Sequence, residues 1–244
     1  MKFIIFYLLI GLVYSIFYLV GPNDLVKTAS NLILLLCVLP FPFYSFKTLR
    51  IKSLPYSYLI LFLFVSSIFL AIGNAFRLTY SMIYNEYPFE NPPYNIFWFS
   101  ALILALFLSI LFLYYFKNII LKSKVKNYAI IISLIFFLIY IFLIYSLKEI
   151  LFTESLIAFL IYYGIGGITL SFAIFYLTFF LKGEFSKSWA FIFLAIILAI
   201  FGRISFEAQF SIGSYYPGSY TSLFFALSYL SLSIGSYKIY RLMG

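Results

Sequence analysis

The chain has 244 residues, of which 65% are hydrophobic and only 9% are charged. A soluble domain is typically about 45–50% apolar and about 25% charged, so this composition excludes an ordinary soluble protein and predicts an all-α membrane protein. The sequence contains no histidine and one cysteine, Cys37. Histidine-dependent catalysis, histidine-ligated haem and an intrachain disulfide are therefore excluded.

Apolar runs long enough to cross a hydrocarbon layer of about 30 Å follow one another along the chain. They are Phe3–Val20, Ala29–Phe46, Pro55–Tyr80, Ile96–Phe116, Tyr128–Leu147, Ser155–Leu181, Trp189–Phe210 and Ser222–Tyr240. We therefore expect eight transmembrane helices in a single integral membrane domain over residues 1–244. The first run follows Lys2, but it is too long for a signal peptide and no small-residue cleavage site follows it, so we expect a permanent helix.

The basic residues concentrate on one side of the predicted helices. Twelve of the 16 lysines and arginines fall at the N-terminus, in alternate loops or at the C-terminus. The positive-inside rule then predicts a multi-pass protein of the cell membrane with both termini in the cytoplasm. This orientation, with contacts to anionic head groups of the bilayer, explains the net charge of +9. We expect no nucleic-acid partner.

Two stretches of the sequence match each other at an offset of 129 residues. Gly73 corresponds to Gly202, and Tyr87-Pro88 corresponds to Tyr216-Pro217. Each stretch combines a long apolar helix, an aromatic outer hairpin and another apolar helix. A four-helix unit keeps its orientation when it is repeated in tandem. The sequence therefore predicts two parallel repeats, over residues 1–120 and 121–244 approximately, related by a pseudo-two-fold axis along the membrane normal.

The first of these stretches carries short motifs of a known kind. Gly73-Asn74, the hairpin Glu86-Tyr87-Pro88-Phe89 and the aromatic helix start Tyr94–Trp98 form this arrangement. It resembles the eight-helix membrane input modules found ahead of diguanylate cyclase and related signalling domains. Those modules carry a Gly-Asp pair, a Glu-x-Pro-x-Pro-Ser type hairpin and a Pro-Gly-Ser hairpin in the second half, which Pro217-Gly218-Ser219 matches.

The chain departs from that pattern at three places. Asn74 stands where the modules have Asp, Glu90-Asn91 replaces Pro-Ser, and we expect no output domain after Arg241. The resemblance implies a sensor, binding or scaffold module that acts through another membrane or signalling protein. An accessory subunit of a larger membrane complex and a small-solute transporter stay open as alternatives, since a parallel duplication also suits a transporter.

The sequence offers little for enzyme chemistry. Asp24 is the only aspartate, so metal sites built from clustered aspartates are not expected. The run Gly164-Ile165-Gly166-Gly167 lies within a predicted helix, without the preceding strand or the following Lys-Ser of a phosphate-binding loop. We expect a protein that is not an enzyme, with no catalytic residues, no metal and no cofactor.

The candidate site comprises ionisable side chains inside apolar helices, where charge is costly and suggests function. Glu207 follows Arg203 by four residues, so the two can pair on one helix face. At the offset of 129, Asn74 corresponds to Arg203, and Arg77 corresponds to the neighbour of Glu207. We therefore expect Arg77, Arg203, Glu207 and Asn74 to cluster near the pseudo-axis, as a structural ion pair or a contact for an anionic ligand.

A second candidate region is the pair of outer hairpins. It comprises Glu86, Tyr87 and Pro88 in the first hairpin and Tyr216 and Pro217 in the second. Tyrosines at these positions are typical of an interfacial aromatic belt.

Overall fold

The computed structural model describes residues 2–51, 56–84, 95–146, 156–179 and 184–243. Within them, nine helical segments follow one another. They are α1 (Lys2–Val20), α2 (Asp24–Val38), α3 (Pro40–Leu49), α4 (Ser57–Tyr84), α5 (Asn95–Lys122), α6 (Lys126–Ser146), α7 (Leu156–Phe179), α8 (Glu184–Ser211) and α9 (Tyr220–Met243). Because α2 and α3 form one bent helix, the described chain has eight helices, and the predicted all-α fold is confirmed.

Local sequence explains how the bent helix begins and where it bends. Gly21 takes a positive φ of 80°, and the Asn23 side chain caps α2 by accepting a hydrogen bond of 2.8 Å from the backbone N–H of Val26. The bend lies at Leu39 because the next residue, Pro40, has no N–H and its ring crowds the preceding turn. The helical path therefore continues through the bend into α3.

Five helices of the described chain are long and apolar enough to cross a membrane. They cover Asp24–Leu49, Ser57–Ile83, Asn95–Lys122, Lys126–Ser146 and Ser186–Gln209. Ile4–Val20 and Tyr163–Phe179 are shorter apolar stretches. The chain therefore has the architecture of a multi-pass helical membrane protein.

Helix α9 is buried among the other helices along most of its length and packs against α8, α3, α2 and α1. Its serines bond to three of these neighbours. Ser228 Oγ donates to the carbonyl of Ala195 in α8 at 2.8 Å, and Ser233 Oγ donates to the carbonyl of Cys37 in α2 at 2.6 Å. Ser231 Oγ is 2.7 Å from the Tyr7 hydroxyl of α1. Small polar side chains are a main source of helix association in lipid, so α9 holds the bundle together from within.

Two glycines allow close packing of successive helices. A Cβ placed on Gly73 of α4 would lie 3.2 Å from Phe97 Cβ and 3.1 Å from Trp98 Nε1, both in α5. A Cβ on Gly202 of α8 would lie 3.1 Å from Phe224 Cβ and 3.2 Å from the Phe225 ring, both in α9. In each pair, glycine is the residue that leaves room for an aromatic side chain of the following helix.

Aromatic side chains fill the remaining space between α5, α7 and α8. The Phe112 ring lies 4.9 Å from those of Tyr176 and Trp189 and 5.0 Å from that of Phe193, measured between ring centroids. The Tyr176 hydroxyl donates to the carbonyl of Ser109 in α5 at 2.8 Å. This buried cluster fixes α7 and α8 against α5.

Replacing Gly73 or Gly202 by leucine should lower the free energy of unfolding by about 1–3 kcal/mol, because the added atoms overlap the aromatic side chains opposite. Gly164→Leu is the matched control, since Gly164 is a helical glycine with nothing within 4 Å of its Cβ position. Thermal unfolding of the three purified variants in one detergent measures the difference. Equal melting of all three would contradict the close packing.

Candidate functional site

Arg77 of α4 is buried near the end of the bundle that carries the α8–α9 hairpin, which we call the hairpin end. Its side chain is 2% exposed. One guanidinium nitrogen, Nη2, donates to the Tyr215 hydroxyl at 2.5 Å, and the guanidinium carbon lies 5.6 Å from the centre of the Trp98 ring. A hydroxyl acceptor and an aromatic face both stabilise a buried cation.

Asn74 lies one turn before Arg77 and is 1% exposed. Its Nδ2 donates to the carbonyl of Leu70 in its own helix at 2.8 Å. The Tyr229 hydroxyl of α9 interacts with the Asn74 side chain and with the positive charge of Arg77. Asn74, Arg77 and Tyr229 therefore form a polar contact between α4 and α9.

Arg203 and Glu207 form an ion pair on α8, at the spacing of four residues noted in the sequence. The two side chains are 21% and 19% exposed, so solvent or lipid reaches part of the pair. The Arg203 guanidinium carbon also lies 5.1 Å from the centre of the Phe206 ring. Neutralisation within one helix reduces the cost of placing both charges in an apolar bundle.

The four candidate residues are linked through α5, α9 and the hairpin. The main neighbours of α4 are α5, α2 and α3, whereas those of α8 are α9 and α7. Arg77 reaches Tyr215, whose ring packs against Phe206 with centroids 4.6 Å apart, and Phe206 precedes Glu207 in the chain. Tyr215 and Phe206 thus connect the surroundings of Arg77 and Asn74 to those of Arg203 and Glu207.

A cavity of about 120 Å³ lies in the centre of the bundle, chiefly between α4, α5, α8 and α9. Most of its wall is apolar, and Arg203, Trp98 and Tyr229 contribute polar groups to it. The Trp98 ring stacks on that of Phe225, which also lines the cavity, with centroids 6.0 Å apart and an angle of 21° between the planes. The arrangement offers an apolar space with a cation at its wall.

Sequence reasoning did not identify the cavity or three of the aromatic residues around the arginines, namely Trp98, Tyr215 and Tyr229. Trp98 is one of only two tryptophans in the chain. Tyr229 lies in a helix with serines at positions 222, 228, 231, 233 and 236. That serine spacing was the available signal that α9 faces protein on several sides, including the side on which Tyr229 is buried.

The candidate residues of the second hairpin are folded back onto the bundle. Pro217 is buried and Tyr216 is half-buried. Gly218 has a φ of 104°, and a Cβ there would lie 2.5 Å from Val26 Cγ1 of α2. Burial raises the pKa of Tyr216, and the neighbouring Tyr18 raises it further. This hairpin therefore packs on α1 and α2, in addition to any contact with a membrane interface.

Hydrogen bonds attach the second hairpin to the end of α8. Gln209 Oε1 accepts from Ser219 Oγ at 3.1 Å and from Thr221 Oγ1 at 2.5 Å, and all three side chains are buried. The Gln209 carbonyl also accepts from the backbone N–H of Ser214 at 2.9 Å. The corresponding candidates of the first hairpin, Glu86, Tyr87 and Pro88, lie outside the described residues.

Within the described ranges, no group of three or more His, Cys, Asp or Glu side chains is arranged to hold a metal ion. Comparison with known proteins yields no matching family model, no matching curated protein and no matching solved structure.

Tyr215→Phe should lower the free energy of unfolding by about 1–3 kcal/mol, because it leaves the buried Arg77 guanidinium without the hydroxyl acceptor. Tyr220→Phe removes the same hydroxyl from a side chain that is 49% exposed and should change stability by less than about 0.5 kcal/mol. Chemical or thermal unfolding in detergent compares the two variants with the parent. If Tyr215→Phe unfolds like Tyr220→Phe, the hydrogen bond contributes no stability.

Proposed function

We propose that this chain is a non-enzymatic sensor or binding module of the cell membrane that takes an amphiphilic ligand into its central cavity and acts through a partner protein. The observation that carries the proposal is the cavity itself, an apolar space with Arg203 in its wall and Arg77 bound to the neighbouring Tyr215 and Trp98. The sequence resemblance to membrane input modules agrees with this role.

The proposal includes an internal repeat of two four-helix halves. Equivalent contacts support it. Gly73 packs on Phe97 and Trp98 as Gly202 packs on Phe224 and Phe225. These pairs relate α4 to α8 by an offset of 129 and α5 to α9 by an offset of 127, since the second hairpin is two residues shorter on this alignment.

A pair of hydrogen bonds follows the same two offsets. Ser66 Oγ of α4 donates to the carbonyl of Ala101 in α5 at 3.5 Å. At the equivalent positions, Ser228 Oγ of α9 donates to the carbonyl of Ala195 in α8 at 2.8 Å. In the first half the serine belongs to α4, and in the second half it belongs to α9, which is equivalent to α5. The hydrogen bond nevertheless joins the same two equivalent positions in both halves. This agreement supports a common packing geometry of the two halves.

The proposed two-fold axis passes through the cavity. Trp98 and Phe225 are equivalent residues under these offsets, and their rings stack on each other. Contact between equivalent residues is expected where a two-fold axis passes between them. The halves differ at their edges, because α1 packs mainly on α9 whereas α6 packs mainly on α7.

The chemistry of the cavity suggests the class of ligand. A dry cavity of roughly 150 Å³ accepts benzene or xenon, so a space of about 120 Å³ suits a small apolar group such as the end of a hydrocarbon chain. Arg203 in the wall is paired with Glu207, but a guanidinium has five N–H donors, so it can also contact a carboxylate or another anionic head group on the same molecule. A transporter is less well supported. Transporters built from repeats typically have interrupted helices at corresponding positions of the two halves. Here the bend of the α2–α3 helix has no counterpart in α7, which is continuous over its described length.

ω-Bromoundecanoic acid should quench the fluorescence of Trp98, because bromine quenches tryptophan only on close approach and Trp98 lines the cavity. The experiment uses a Trp189→Phe background in nanodiscs, which leaves Trp98 as the single tryptophan. Ala101→Leu, which fills the cavity, should abolish saturable quenching. Ala75→Leu, an exposed position on α4, should leave it unchanged.

Arg203→Gln should weaken binding of the acid by about tenfold and leave ω-bromoundecanol unaffected, since only the acid presents an anionic group to the guanidinium. Quenching that is linear in probe concentration, and equal in the Ala101→Leu and Ala75→Leu variants, would show partition into lipid alone and would refute the proposed ligand site.

We further propose that the termini and the basic α5–α6 turn face the cytoplasm and that the hairpin end faces outward. In a Cys37→Ala background, a cysteine at Ser214 should react with an impermeant thiol reagent added to intact cells. A cysteine at Lys124 should react only after the membrane is opened. Both positions are exposed, so access to the reagent depends on the side of the membrane. The reverse labelling pattern would contradict this orientation.

A further inference from the structure

A groove of about 980 Å³ lies at the opposite end of the bundle, between α1, α3, α8 and α9. We call this the basic-end groove. Lys238 and Arg241 line it, and its described lining includes no carboxylate. The groove is separate from the central cavity, and the two volumes have no lining residue in common.

The groove is amphipathic along its length. Leu230 and Ile234 form its wall on α9, and Phe6 contributes from α1. Leu230 and Arg241 are eleven residues apart, which corresponds to about 16 Å along the helix. The cations therefore lie at one end of a groove whose other end is apolar, which is the polarity of a membrane lipid with its head group at the interface.

Neighbouring aromatic and basic side chains extend the polar end. The Tyr44 ring packs against the Tyr237 ring with centroids 5.0 Å apart, and both tyrosines line the groove. Lys47 Nζ of α3 lies 5.7 Å from the centre of the Tyr240 ring of α9. Tyrosine hydroxyls and lysines at a helix end are suited to a phosphate group at the level of the membrane interface.

The groove is bordered by an edge helix. Helix α1 packs on α9 and, to a lesser extent, on α2, and the side chains of Ile4, Ile5 and Phe6 are all more than half exposed. A lipid diffusing in the bilayer can therefore reach the α1 side of the groove without separation of the central helices. Shape, charge and access all favour an occupant from the membrane itself.

We propose that the basic-end groove binds one anionic phospholipid, with its phosphate at Lys238 and Arg241 and a hydrocarbon chain along Phe6, Leu230 and Ile234. The proposal does not depend on the ligand of the central cavity. The lipid stabilises the contact between α1 and α9 by occupying the space between them.

Native mass spectrometry of the delipidated protein, titrated with phosphatidylglycerol and with phosphatidylcholine of the same chains, tests the proposal. We expect one tight site for phosphatidylglycerol. Lys238→Gln with Arg241→Gln should weaken this site roughly 30-fold, as expected for two cations near an anionic head group. Lys122→Gln with Lys124→Gln, two exposed lysines of the α5–α6 region, should leave the affinity unchanged.

Excess inorganic phosphate should not displace the bound phospholipid, since it lacks the hydrocarbon chain. Displacement by phosphate, equal affinity for the two lipids, or equal weakening by the two double variants would each overturn the proposal. If the Lys238/Arg241 double variant does not fold, the single variants are used, and each should weaken binding about fivefold. Unchanged affinity in both single variants would also overturn it.

Discussion

The bundle depends on the association of helices that lipid alone would not drive together. Between apolar helices in a membrane the hydrophobic effect is weak, so close packing and interhelical hydrogen bonds must supply the attraction. Helix α9 provides them with Ser228, Ser231 and Ser233, which bond to α8, α1 and α2 respectively. A helix with this many serines is unfavourable facing lipid and favourable when surrounded by partners. The position of α9 in the interior follows from that balance.

The arginines near the hairpin end are accommodated by the same packing. Burying a cation in an apolar bundle is costly unless it is paired or stabilised by dipoles and aromatic faces. Arg203 has Glu207 on its own helix, whereas Arg77 has Tyr215 from the hairpin and the Trp98 ring from α5. The contacts of Arg77 require α4, α5 and the hairpin to meet, so they hold the hairpin against the bundle. Gln209, Ser219 and Thr221 reinforce that attachment.

The central cavity and the basic-end groove offer different chemistry to a ligand. The central cavity lies beside Arg203 and is small and largely apolar, whereas the basic-end groove is larger and carries two cations at one end. Both are bordered by α9, from Phe225 and Tyr229 at one end to Lys238 and Arg241 at the other. Helix α9 also contacts four other helices, so it is the element that links both spaces to most of the bundle.

Composition and the long apolar runs were enough to predict a multi-pass helical membrane protein, because each run in a bilayer must satisfy its backbone hydrogen bonds internally. The spacing of Arg203 and Glu207 determined their pairing, since residues four apart on a helix share a face. The environment of Arg77 could not be derived in this way. Tyr215, Trp98 and Tyr229 come from three different elements, and only their packing brings them to Arg77 and Asn74. The same holds for the cavity and the groove, which are spaces between helices. Their existence depends on the angles and distances at which helices pack, and these are decided by tertiary contacts such as Gly73 on Trp98.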